Sequence, residues 1–207
     1  IKTLAGLIKK KSGSISSDGI DIDSDYEGYI KQMGFSFDKA NYYPLFSGYD
    51  NLKFFVDIYK KTSKEEILKC VEEVGLSNRI YDKISTYSFG MRQRLNFAKA
   101  ILTSAKTVVL DEPFNGIDPA GVVEIRELIL KLKKEKNMSF IISSHFLDEI
   151  ESLSDRLLFY KKGKIVKDIK VNEFNEFSQY ITISNPDKKF NEELFRNFNV
   201  EFVSENT

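Results

Sequence analysis

The sequence predicts an α/β fold: an open, mostly parallel sheet with a block of helices inserted between its strands. Three observations carry this. Val108 to Leu110 is a short apolar run closed by Asp111 and Glu112, as expected of a buried parallel strand that delivers acids into a crevice. An amphipathic stretch with apolar residues at Val122, Ile125, Leu128, Ile129 and Leu132 leads on to a second apolar run, Met138 to Ile142. Strand, helix, strand in this order is a right-handed crossover that puts both strand ends on one edge. Between Asn51 and Leu102 helical patterns follow one another with no strand between them, which marks an inserted subdomain.

The chain has 207 residues, enough for one domain with a real core. Lys plus Arg and Asp plus Glu both number 31, so the net charge is zero and no basic footprint argues for nucleic acid. A single cysteine, Cys70, excludes an internal disulfide and agrees with a reducing compartment. No apolar run approaches the ~18 residues that span a bilayer, so a membrane role would come through a partner. The chain opens at Ile1 without Met inside a helical pattern, and the expectation is that it is incomplete.

In order, Ile1, Leu4, Leu7 and Ile8 have helical spacing, with Ser12 and Gly13 beyond. Ile15, Asp18, Gly19, Ile20 and Ile22 read as a hairpin. Asp23 to Asp25 reads as a solvated acidic turn, or as a cation ligand. Tyr26 to Met33 is a short helix or turn entering a strand at Gly34 to Phe37, and NYYPLFSGYD from Asn41 is an aromatic-bearing loop. Helices follow at 51–59, at 64–74 with Gly75 as stop, and at 90–102. Pro119 opens the crossover helix. A short helix at 146–153 and a hairpin turning at Lys162 and Gly163 complete the readable part. The tail from Val171 alternates weak helical and strand-like pieces.

Asp111 suits a metal ion, directly or through water, and Glu112 beside it suits a base; a solvated acidic turn is the plainer reading. The crossover places His145, after the second strand, near both. Ser88 and Gly90 stand at a helix start, where backbone N–H groups and the positive helix end suit an anion; serine is equally an ordinary N-cap there.

YSFGMRQRLNFAKAIL from Tyr87, then VVLDEPFNGIDP, then IISSH, resemble in order and spacing the signature, the Walker B strand with its D-loop, and the H-loop of ATP-binding cassette (ABC) transporters. The resemblance covers about 1–170, and MGFSFDKANYYPLFSGYDNLKFFVDIY is similar to the family's Q-loop and helical subdomain. Phe89 and Met91 in the signature resemble the branch handling bacitracin and lantibiotics. The fold implied is a P-loop NTPase (RecA-like) core with an inserted α-helical subdomain at about 40–104, lacking its first strands and Walker A loop, and a C-terminal extension at 171–207. The activity implied is ATP hydrolysis with Mg²⁺: Asp111 orients the metal, Glu112 activates the attacking water, and His145 holds the terminal phosphate. Ser88 and Gly90 would cap ATP held by an opposite subunit, and Asp118 would lie in the contact between copies. The partners implied are a second ATP-binding subunit, the same or related, and a separate transmembrane permease. That would place the chain in the cytoplasm, at the inner face of the membrane. The permease is expected to dock on Tyr42 to Tyr49.

Two departures stand out. No GxxxxGK[ST] occurs in the sequence, and truncation explains this better than decay; the chain alone is expected to bind ATP weakly. Asp38 stands where relatives have the Q-loop glutamine; its carboxylate would still meet Mg²⁺ or its water, one methylene shorter and negatively charged. Arg92, Gln93 and Arg94 fit the run after the signature or simply an exposed helix. Two alternatives remain: a soluble ABC ATPase acting on ribosomes or DNA, and a non-catalytic cassette.

Overall fold

The computed structural model describes residues 1–37, 41–103, 105–145 and 147–171. Its contacts divide the chain between Leu153 and Ser154, ahead of the 170/171 boundary read from the sequence.

In the first unit, three parallel strands, β3 (Met33–Ser36), β4 (Thr107–Asp111) and β5 (Ser139–Ser143), pair in the order β3-β4-β5. The register sets Val109 opposite Phe35 and Ile141, and Asp111 opposite Ser143. Alternation along β4 divides its side chains between two cores. Val108 and Leu110 join a core shared with the helices, while Val109 joins Met33, Phe35, Tyr29, Ile22 and Ala5 on the other side.

The pattern at Ile1 to Ile8 does not form the expected helix. It makes one turn that stops at Gly6, where φ is +70°. Gly6 N–H donates to Thr3 O at 3.1 Å and Leu7 N–H to Lys2 O at 2.9 Å, the paired bonds of a glycine-closed helix end. Beyond it a short hairpin, β1 (Ser16–Ser17) and β2 (Ile20–Asp21), turns through Asp18 and Gly19. The acidic cluster is spent on the chain itself: Asp23 pairs with Lys10, and Asp25 caps α1 (Tyr26–Lys31) by accepting from Gly28 N–H.

The helical block holds α2 (Gly48–Asp57), α3 (Lys64–Glu73) and α4 (Phe89–Leu102). Each starts at a serine whose hydroxyl accepts from the third residue of its helix: Ser47, Ser63 and Ser88. Ser63 and Glu66 complete a reciprocal capping box. Leu52, Val56, Ile67, Val71 and Leu95 pack with Leu110, Ile125 and Ile129 in one continuous cluster, so the inserted block shares its core with the sheet. α4 lies close on β3, where a Cβ on Gly34 would come within 2.3 Å of Ala100 O. α5 (Pro119–Lys136) then crosses over to β5, starting at Asp118 and closing at Asn137, which takes a left-handed conformation with φ of 51°. A short α6 (Leu147–Glu151) follows β5.

The second unit holds the expected hairpin, β6 (Arg156–Lys161) and β7 (Lys164–Lys170), latched by Arg156 donating to both carboxylate oxygens of Asp168. Among the described residues no helix is long and apolar enough to cross a membrane.

Candidate active site at the ends of β4 and β5

Parallel pairing brings the C-terminal ends of β4 and β5 to one edge. There Ser143 Oγ donates to Asp111 Oδ1 at 2.7 Å. Glu112 N–H reaches both the Ser143 carbonyl and its hydroxyl at 3.1 Å, which ties the residue after β4 to the last residue of β5. Glu112 itself has φ of 50°, a left-handed conformation that costs a non-glycine residue on the order of 1 kcal/mol. The turn aims its carboxylate at His145: Nδ1 lies 2.9 Å from Glu112 Oε2. With a carboxylate as neighbour, Nδ1 is the donor. The Glu112 side chain is 29% exposed and that of His145 57%, so the pair opens to solvent and to a ligand.

The structure thus assembles Asp111, Glu112 and His145, and adds Ser143, which the sequence reading missed. Its role rests on the register of β5 against β4, which neither segment shows by itself. Asp38 lies outside the described residues. Ser88 caps α4, its hydroxyl accepting from Met91 N–H at 3.2 Å, and Gly90 sits in that first turn. Asp118 accepts from Gly121 N–H at 3.4 Å and caps α5. Capping and ligand binding do not exclude each other, since only part of each helix end is used.

The residues after Gly90 are not an exposed run. Arg92 Nη1 donates to Tyr87 O at 2.6 Å, Gln93 is 5% exposed, and Arg94 bonds Val74 O and Glu124. A cleft of about 400 Å³ between α3 and α5 is lined by Glu72, Glu73, Glu124 and Glu127 with Lys131. It shares no residue with the β4 and β5 edge, and its carboxylates would repel phosphate.

The aromatic loop divides. Tyr42 and Tyr49 pack against the core, whereas Tyr43, Leu45 and Phe46 are exposed.

Residues 1–115 match the family described as ABC transporter. The chain belongs to the ABC transporter family. It is 41% identical over 182 residues to an uncharacterized ABC transporter ATP-binding protein of Bacillus subtilis, YhcH, covering 87% of this chain and 60% of that one. It is 36% identical to the bacitracin transport ATP-binding protein BcrA of Bacillus licheniformis, over 82% of this chain and 55% of BcrA. To the lantibiotic transport ATP-binding protein SrtF of Streptococcus pyogenes it is 38% identical, over 80% and 70%. The chain therefore spans little more than half the length of the first two. Its fold is that of solved ABC cassettes. The dimeric cassette MJ0796, in a post-hydrolysis state bound to ADP and Pi, superposes with a TM-score of 0.75 at 20% identity, over 82% of this chain and 78% of that one. CbiO1 from Clostridium perfringens, part of the transporter complex cbiONQ, gives 0.71 at 24% identity, over 86% and 73%. Across these ABC proteins the P-loop NTPase architecture is the shared feature.

Proposed function

We propose that the chain is the ATP-hydrolysing part of an ABC transporter subunit that works with a second such subunit and a separate permease, exporting peptide antibiotics. The observation that carries this reading is the Glu112–His145 pair beside Asp111, all on the edge where β4 and β5 end. In it Glu112 takes the proton from the water attacking the terminal phosphate of ATP. His145 fixes the orientation of Glu112 through Nδ1 and stands beside the same phosphate. Asp111, steadied by Ser143, offers oxygen ligands, and among the described residues no set of three ligating side chains forms a closed metal cage. That donor set fits Mg²⁺, which keeps several waters and relies on one or two carboxylates plus phosphate oxygens; when bound it would offset the charge of the phosphates. The N-terminal end of α4, with Ser88 and Gly90, caps ATP held by the opposite subunit, and Asp118 sits in the contact between the two. Peptide antibiotics are favoured by the names of BcrA and SrtF. The permease docks on the outward rings of Tyr43 and Phe46.

The test is Glu112→Gln in the full-length protein with its permease. Hydrolysis should slow by roughly 10²–10⁴, the usual contribution of a positioned base, while nucleotide binding persists. Turnover at the wild-type rate would sink the assignment.

A further inference from the structure

The stretch that leaves β4 carries Glu112, turns through Phe114 to Ile117 and reaches Asp118 at the head of α5. It is a compact body of its own: Asn115 N–H bonds Glu112 O at 3.2 Å, Ile117 N–H bonds Phe114 O at 3.1 Å, and Phe114 is buried. The first two turns of α4 grip it at two glycines. The Phe89 ring lies against Gly116, where an added Cβ would come within 2.3 Å of Phe89 Cδ1. Gly116 has φ of +68°, so any side chain there would be strained as well as blocked. Beside it, a Cβ on Gly90 would lie 3.3 Å from Gly116 O; backbone faces backbone. One turn on, Arg94 Nη1 donates to Val74 O at 3.1 Å and to Glu124 Oε2 at 2.8 Å. A Cβ on Gly121 would meet Arg94 Nη2 at 2.4 Å, and one on Gly75 would meet Nη1 at 2.8 Å. The guanidinium is seated in a slot between two residues that have no side chain. The arginine side chain is 15% exposed and Glu124 62%, so the ion pair is weakened by solvent; the fit against Gly121 carries the hold, and the Val74 carbonyl at the end of α3 fixes the guanidinium in place.

We propose that Phe89 and Arg94 are positioning residues that lock the start of α4 to the Glu112–Gly121 stretch, so that a displacement of Ser88 and Gly90 reaches Glu112 within the same chain. The lock stands on geometry alone; what its movement does rests on the ATPase reading above. The Phe89 ring makes a contact with Gly116 that a glycine in its place could not make. Movement of α4 that left the stretch behind would pull the half-exposed Phe89 ring off Gly116 and draw the Arg94 guanidinium away from Gly121 and Glu124.

The experiment uses the full-length protein with its permease and compares Phe89→Ala, Phe89→Leu and Arg94→Lys with wild type. Two quantities are read: hydrogen exchange at the amides of Asn115, Ile117 and Gly121, and kcat with KM for ATP. Phe89→Ala should speed exchange at Asn115 and Ile117 by roughly tenfold, as a local opening, with little change in exchange elsewhere. It should lower kcat several-fold while KM changes by less than about twofold. Phe89→Leu, which keeps apolar bulk, should recover most of both. Arg94→Lys keeps the charge but loses the fork, and should speed exchange at Gly121. Unchanged exchange in both Phe89→Ala and Arg94→Lys overturns the lock. Faster exchange with kcat untouched overturns the transmission to Glu112. Because exchange is read without turnover, a failure of the ATPase reading would show separately, in Glu112→Gln.

Discussion

Lys99 shows how much a single residue of α4 is asked to tolerate. Its ammonium lies 5.2 Å from the ring centroid of Phe55 and 5.8 Å from that of Tyr42, and burial pushes its pKa down to about 8 from the ordinary 10.5. The ring faces favour the cation, but loss of water outweighs them. Between pH 8 and 10.5 the unfolded chain holds a proton that the folded chain has released, so stability rises with pH across that window. Below pH 8 the burial cost is present in full. Lys99→Met should therefore stabilise the protein at pH 7 by about 1–3 kcal/mol and flatten the rise toward pH 10. Urea unfolding at pH 7 and 9.5 checks this; a less stable variant at pH 7 would mean that the cation is held favourably. At this scale the sequence pointed to Asp111, Glu112 and His145 as neighbours at one sheet edge, and the structure brings them together there. It did not show the roles of Ser143 and Arg94, because these depend on what stands across a strand or a helix. No pattern in one segment reveals its neighbour.

At the scale of elements, local signals told most. The Ser88 cap, the Gly75 stop and the proline of α5 acted as their chemistry dictates. The reading of Ile1 to Ile8 went wrong because apolar spacing outweighed Gly6 in it, although a glycine one turn in is a stop signal. The aromatic loop before α2 is the element whose order was least visible. Its shape is set by Asn51, which is fully buried: the amide oxygen accepts from Tyr43 N–H at 2.8 Å, and the amide nitrogen donates to Tyr43 O and Ser47 O at 3.0 and 2.9 Å. Four more backbone bonds tie the loop to residues 80–85, among them Ser85 N–H to Pro44 O at 2.9 Å. Asn51→Ala leaves Tyr43 N–H without its partner, while Tyr43 O and Ser47 O keep the backbone bonds from Phe46 N–H and Asn51 N–H. It should cost about 1–3 kcal/mol. Thermal unfolding measures it; a loss below ~1 kcal/mol would show that water replaces the amide without difficulty.

For the whole molecule, the sequence predicted an inserted helical block, and the structure adds that block and sheet share one core. That sharing was not legible, because periodicity shows which face of a helix is apolar and not which element covers it. Fixed on that core, Tyr43 and Phe46 point outward with 46% and 53% exposure, while Tyr42 below them is committed to packing. Tyr43→Ala with Phe46→Ala should lower Tm only modestly, through the ring contacts of Tyr43 with Phe54 and Phe55, and reduce co-purification of the permease, since aromatic rings are common anchors of interfaces. Normal co-purification would remove this loop as the docking site. The strand pairing has a kinetic side too. β3 meets β4 across the whole helical block, Met33 opposite Thr107, and such distant closure is slow, whereas α2, α3 and α4 assemble from near neighbours. During refolding, pulsed hydrogen exchange should find Val56 and Leu95 protected before Val108 and Val109; the reverse order would refute a helical nucleus. The carboxylates at the end of β4 then come into place last, and a half-folded chain holds no site.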